Sequence, residues 1–206
     1  VDTLWGPNLG HVAYCVGVLA DGRVYFGGRF VDVINGETFR TYLACFLADG
    51  NIDNTFQTNW GELVSQFVHK LVVQADNKVV VASCTPFGTQ WRLDRFNTNG
   101  TVDDTFAVTF TNKLPVRGLA IEPDTQKIYA FGEFEGVNGI EAFKKLVPLN
   151  PDGSLEETSA PGEFLDSGEV RCLLLNADGT MYVGGEFTTV GGVTRYRYCK
   201  LDNNGA

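Results

Sequence analysis

The sequence is four copies of one unit laid end to end, and a chain built that way has few folds open to it. The register mark is a turn followed by a short strand: DGNIDNTF at Asp49–Phe56, NGTVDDTF at Asn99–Phe106 and DGSLEETS at Asp152–Ser159. The fourth copy is split, with Asn204-Gly205-Ala206 at one end of the chain and Val1-Asp2-Thr3-Leu4-Trp5 at the other. Marks at 49, 99, 152 and 204 give periods of 50, 53 and 52, and units 1–51, 52–101, 102–154 and 155–206. Repeats of this length signal propellers or stacked arrays, because each unit buries its apolar faces only against its neighbours.

Within a unit the pattern is β. Residues 11–56 give an apolar run from Val12 to Leu19, the turn Asp21-Gly22, a second run Val24–Gly28, a polar loop, the strand Leu43–Phe46, the turn Asp49-Gly50, and Ile52–Phe56. Short β-branched and aromatic runs joined by Asp-Gly or Asn-Gly are hairpin signals, since Gly and Asn tolerate positive φ. Strand two recurs at Lys78, Lys127 and Thr180, and strand three at Leu93, Leu146 and Tyr198. No segment carries an extended helical period. The expected fold is therefore all-β: a propeller of four blades, each of about 50 residues and four strands. Val1–Trp5 would complete the last blade and close the ring, burying Trp5 in the slot of Phe56 and Phe106. The other expectation is that the four units belong to a larger propeller or array, and the start at Val1 reads as a processed product or a piece of something longer.

The 206 residues carry a formal net charge of −9, which speaks against nucleic acid and against an anionic membrane surface as partners. No apolar run nears the roughly 18 residues that span a bilayer. The five cysteines (Cys15, Cys45, Cys84, Cys172, Cys199) contain no CxxC pair, so neither a zinc site nor a disulfide framework is expected. Cys15 and Cys172 each stand six residues before the Asp of an equivalent turn and read as small buried hydrophobes.

At the level of DGRVYFGGRF…NG…LACFLADGNIDNTF the chain resembles the delta-60 repeat family, over essentially its whole length. The specific marks are Gly27-Gly28-Arg29-Phe30 and Gly184-Gly185-Glu186-Phe187, the following Asn35-Gly36, Asn138-Gly139 and Gly191-Gly192, and the closing DGxxDxxF. The second unit departs, with Ala82-Ser83 in place of the glycines. The resemblance implies a propeller scaffold and interaction module, common in large bacterial surface proteins and some phage proteins, with no shared catalytic residues.

Several motifs invite chemistry and read more simply as repeat positions. Gly184–Phe187 spells the GGEF of diguanylate cyclases, but the same slot reads GGRF at Gly27 and FGEF at Phe131, and the α/β context is missing. Glu133 and Glu186 occupy equivalent slots and could suggest paired carboxylates; Arg29 and Cys84 fill that slot elsewhere, so they read as consensus residues. His11 and His69 accompany no nucleophile motif and read as ordinary surface or core histidines. The Asp- and Asn-rich turns lack a calcium loop's full oxygen set.

The expectation is thus a non-catalytic binding or assembly module of a cell-surface or virion protein, an adhesin, fibre or tail component outside the cell. It would take a protein or glycan partner, or other subunits of an assembly, with no cofactor, metal, nucleic acid or membrane insertion. The alternatives are a structural spacer in a repetitive filament, or a polysaccharide-cleaving propeller enzyme. Recognition should sit where a repeat departs from its pattern. The second unit's short loop, Cys84–Gln90, carries Phe87 and is followed by Trp91, and Tyr196 takes the slot of Trp91 in the fourth, so these three aromatics are the candidate ligand contacts. The competing reading is that Phe87 and Trp91 simply fill core.

Overall fold

A computed structural model of the protein describes residues 11–34, 38–60, 67–84, 90–111, 114–156, 165 and 168–202, with the backbone alone over 31–34 and 38–41. Every regular element among them is a β-strand. The first repeat supplies β1 (Val12–Val18), β2 (Val24–Ile34) and β3 (Thr38–Phe46). The second supplies β4 (Phe67–Val73), β5 (Val79–Cys84), β6 (Trp91–Phe96) and β7 (Val102–Thr109). The third supplies β8 (Val116–Ile121), β9 (Ile128–Gly132) and β10 (Leu146–Leu149). The fourth supplies β11 (Val170–Leu175), β12 (Met181–Gly185), β13 (Thr189–Val190), β14 (Val193–Thr194) and β15 (Tyr198–Leu201). The sheets run β1-β2-β3, β4-β5-β6-β7, β10-β9-β8 and β11-β12-β15, with β13-β14 a small separate ribbon.

The chain gathers into two compact units, Val1–Phe87 with Leu93–Asp104, and Gly88–Arg92 with Thr105–Ala206. In the first, Tyr25, Leu43 and Cys45 of the first sheet pack with Val68, Leu71, Val79 and Val81 of the second, together with Phe56, Trp60 and Phe96. In the second unit, Tyr129, Phe131 and Leu146 of the third sheet pack with Val170, Met181, Val183, Phe187 and Leu201 of the fourth. Sheet-on-sheet burial of alternate residues is what the repeat pattern demands.

The repeat marks turn out to be folding devices. At the tip of the first hairpin the Arg23 N–H donates to Asp21 Oδ1 at 3.0 Å, and Asp49, Asp76, Asn99, Asp152 and Asp178 hold equivalent turns. The residue after the acid takes positive φ, +84° at Gly22 and +79° at Gly179, a conformation Gly adopts without Cβ strain. The acid of DGxxD pins the outer segment to strand two through ion pairs: Arg23–Asp53 at 3.2 Å, Lys78–Asp103 at 2.8 Å and Lys127–Glu156 at 2.9 Å. The phenylalanines of GGxF, Phe30 and Phe187, and Phe134 in the matching slot, are fully buried.

Two expectations change. Among the described residues four strands pair in the second sheet only; in the first and third the outer strand shrinks to single bridges, Phe46↔Ile52 and Leu149↔Leu155. The cause in the first is local: Thr55 donates backbone N–H and hydroxyl to Asp53 Oδ1, and the Phe56 N–H bonds the Asp53 carbonyl, coiling the chain off the ladder. The stretch expected as a polar loop after strand two also gains structure, as a continued β2–β3 hairpin in the first repeat and as the β13-β14 ribbon in the fourth. Ring closure by Val1–Trp5 lies outside the described residues.

Candidate functional site

Each repeat carries a β-bulge at the same place. Strand one pairs with strand two until a single residue drops out of register: Tyr14 between Ala13 and Cys15, His69 between Val68 and Lys70, Arg117 between Val116 and Gly118, and Arg171 between Val170 and Cys172. All four lie seven residues before an Asp of the following turn, Asp21, Asp76, Asp124 and Asp178, although in the third repeat the turn bond goes to Thr125 Oγ1 instead. A bulge re-aims the extra side chain, and bulges gather beside functional sites. In three repeats the second Gly of the GG mark gives this bulge room, and in the second repeat Ser83 stands in its place. A Cβ at Gly185 would collide with the Glu169 carbonyl oxygen, at Gly28 with that of Val12, and at Gly132 with that of Pro115.

In the second unit the bulge residues are arginines, and they meet an acid between them. Arg117 Nε donates to Glu169 Oε2 at 2.7 Å, and Arg171 Nη2 reaches Glu169 Oε1 at 2.7 Å. Glu169 itself is buried, while both guanidinium groups stay about half exposed. Arg171 Nη2 also pairs with Glu186 at 2.6 Å, and Arg117 Nη2 lies 3.5 Å from Glu133. The order Glu133, Arg117, Glu169, Arg171, Glu186 is thus an alternating ladder of acceptors and donors. It lines a cavity of about 490 Å³ together with Leu114, Glu135, Lys145 and Gly168. Lys145, just ahead of β10, sits at φ +62° and donates Nζ to the Leu165 carbonyl at 2.6 Å; Tyr42, at the break in the β2–β3 pairing, and Arg197, just ahead of β15, share the left-handed backbone. Non-Gly residues held there are strained and mark functional segments often enough to note.

In the first unit the bulge residues are rings. Tyr14 and His69 stack at 5.6 Å with planes 8° apart, Phe67 meets His69 edge-on at 4.6 Å, and the Arg29 guanidinium stands 5.9 Å over Phe67. Among the described residues, no three His, Cys, Asp or Glu side chains converge as metal ligands.

The three aromatics singled out from the sequence fare differently. Trp91 is buried, the first residue of β6, with its carbonyl accepting the Phe110 N–H at 3.1 Å. Tyr196 is exposed in the segment before β15. Phe87 lies outside the described residues. The bulge residues escaped sequence reading because nothing but register distinguishes them; their fixed spacing from the turn acid was the available signal.

The family described as a domain of unknown function (DUF5122) beta-propeller matches residues 19–56, 74–106 and 176–206. The fold is of the β-propeller type. The match supports a propeller repeat family, and the narrower delta-60 likeness rests on the sequence marks alone. No curated protein matches in sequence. Among solved structures, a gluconolactonase from Xanthomonas campestris, described as important in glucose secondary metabolic pathways, is similar with a TM-score of 0.52 at 15% identity. The alignment covers 91% of this chain and 57% of the gluconolactonase, so the chain spans little more than half of that protein. The expectation that this propeller is no enzyme is corrected by that finding: an enzyme is built on the same fold. The sequence argument had weighed missing motifs, whereas a propeller assembles its site from separate repeats and leaves no contiguous motif to read.

Proposed function

We propose that the chain is a saccharide-binding propeller module, with the Glu–Arg ladder of the third and fourth repeats as its binding cleft. The observation that carries this is the alternation around Glu169, where fixed acceptors and donors follow one another along a cavity of about 490 Å³. A sugar's neighbouring hydroxyls each donate and accept, and so suit such a ladder. The cleft's four carboxylates (Glu133, Glu135, Glu169, Glu186) against three cations (Arg117, Lys145, Arg171) disfavour phosphorylated polyanions. The ring cluster of Tyr14, Phe67 and His69 offers the first unit an apolar surface on which a sugar face can stack. The cell-surface or virion setting that the repeat resemblance implies is part of the proposal.

The test is a panel of neutral and acidic oligosaccharides titrated calorimetrically against the protein and its Arg171→Ala and Glu186→Gln variants. Both residues are solvent-accessible, so melting should hold while affinity drops at least tenfold, the equivalent of about 1.4 kcal/mol. Binding untouched by both changes, or no saccharide bound at all, removes the cleft from consideration.

A second reading is favoured by the fold shared with a gluconolactonase. In it the same cleft hydrolyses a sugar-derived ester or lactone, with Glu133 or Glu186 taking the proton of an attacking water and Arg117 or Arg171 facing the oxygen that gains charge. Lactone turnover lost in Glu133→Gln or Glu186→Gln with binding retained supports it; no turnover by the intact protein ends it.

A further inference from the structure

We propose that two apolar faces left open on the first and fourth sheets join copies of this chain head to tail. The junction they would form is already present twice within the chain. Between the first and second sheets, Tyr25, Leu43 and Cys15 lie against Val68, Leu71 and Val73. Between the third and fourth, Tyr129, Phe131 and Leu146, with Ala120, lie against Val170, Leu173 and Leu175. The leading sheet always presents the face of its strand-two Tyr, and the following sheet always presents alternate aliphatic residues of its first strand.

Register carries both halves of this junction onto the open faces. In the fourth sheet, Tyr182 pairs with Leu174 as Tyr25 pairs with Gly17 and Tyr129 with Ala120. Tyr198 stands where Leu43 and Leu146 stand, opposite Gly184 as they are opposite Gly27 and Phe131. Yet Tyr182 is 49% exposed, Leu174 62% and Tyr198 76%, and the exposed Cys172 takes the place where Cys15 lies against Val68. In the first sheet, Val16 and Val18 hold the positions of Leu71 and Val73, or Leu173 and Leu175, and are 57% and 67% exposed.

One open face is therefore a leading half and the other a following half of the same junction. The two match each other rather than themselves, which makes the contact heterologous, and it either closes a ring of copies or extends a filament. A strand added beside β15 would cover that sheet's edge and leave this face bare. A second copy is the occupant because its open face carries the same strand positions that fill both junctions within the chain.

Light scattering on the intact chain, from low to high micromolar concentration, provides the test. The mass should rise to two chains or a larger multiple. Leu174→Asp with Tyr198→Asp should hold it at one chain, and so should Val16→Asp with Val18→Asp; all four positions are exposed, so melting temperatures should stay within a few degrees. An equal mixture of the two variants should form two-chain particles and nothing larger, since each retains the face the other has lost. A wild-type chain that stays monomeric throughout overturns the proposal, whether its faces close on one another or take a different partner. Association that survives both variants, or variants that fail to rejoin when mixed, overturns it equally.

Discussion

Arg117 and Arg171, one repeat apart, hold opposite oxygens of a single carboxylate, each at 2.7 Å from Glu169. Both are bulge residues at the same repeat position, so duplication of one backbone irregularity supplied two cations. Glu169, directly ahead of the fourth repeat's first strand, supplied the charge between them. The relationship fixes the guanidinium planes and leaves their outer edges for ligand.

Glu169→Gln keeps the shape and removes the charge that orients both arginines. Because the arginines are about half exposed, solvent screens much of the loss, and stability should fall by about 1–2 kcal/mol rather than the ~3–5 of a fully buried pair. Ligand affinity should fall further than in Arg171→Ala, since two donors lose their aim. Thermal melts and titration of the same variant separate the two effects. A fully stable variant with unchanged affinity contradicts the positioning role.

Gly185→Ala tests the bulge itself. The added methyl would run into the Glu169 carbonyl, a backbone group that cannot swing aside. Overpacking of this kind costs about 1–3 kcal/mol, or roughly 2–4 °C per kcal/mol for a chain this long. The displaced carbonyl also belongs to the residue carrying the site's central acid, so binding should weaken with stability. Gly139→Ala serves as the control: it has no neighbour near its Cβ and a φ of +82°, so it strains the backbone without touching the cleft.

Much of this fold was open to sequence reading because its marks are local. The turn acids Asp21 and Asp178, the DGxxD acids Asp53 and Asp103, and Phe30 and Phe187 act within or beside their own repeat, so a recurring string reports a recurring contact. The outer strand of the first repeat was over-read, because after the Asp53 N–H bonds the Cys45 carbonyl the chain turns back, with Thr55 and Phe56 bonding Asp53. The site was largely hidden. Arg117 meets Glu169 across 52 residues, and Glu133 and Glu186 looked like consensus residues until the bulges brought arginines to them.

Trp91 and Tyr196 occupy one repeat slot and should answer mutation in opposite ways. Trp91→Ala opens a void under a buried aromatic and should cost about 3–5 kcal/mol. Tyr196→Ala removes an exposed ring and should leave melting within about half a kcal/mol. Differential scanning calorimetry of the two variants checks this. Equal melting temperatures would show that Trp91 is no core residue.

Thiol labelling reports burial residue by residue. Burial pushes Cys15 up to about 12 despite the nearby Lys70, and burial beside Asp53 pushes Cys45 up to about 12, so neither offers thiolate at neutral pH. Cys84 and Cys199 are buried, whereas Cys172 is exposed. At concentrations where the chain is monomeric, one thiol should react quickly with an aromatic disulfide reagent, the other four only after unfolding, and Cys172→Ser should abolish the fast phase. A fast phase that persists in Cys172→Ser shows that a second sulfur is reachable.

Asp53 should make the first repeat sensitive to acid. Burial raises its pKa, but hydrogen bonds from Thr55 and the Arg23 guanidinium outweigh burial and hold it below the ordinary 3.8. A folded-state value depressed below the unfolded one means the native state binds this proton less readily than the unfolded chain does. Its contribution is therefore complete above the unfolded value and disappears as pH falls below the ordinary 3.8 and through the lower folded value. Asp53→Asn should melt lower than wild type at neutral pH and lose less on acidification, so that the two melting curves converge at the acid end. Some acid sensitivity will remain, because Asp21, Asp49 and Asp178 are also held low by their turn hydrogen bonds. Parallel curves, offset equally at pH 7 and pH 2, would mean that the charge on Asp53 does not couple to folding and that Thr55 and Arg23 hold it by shape alone.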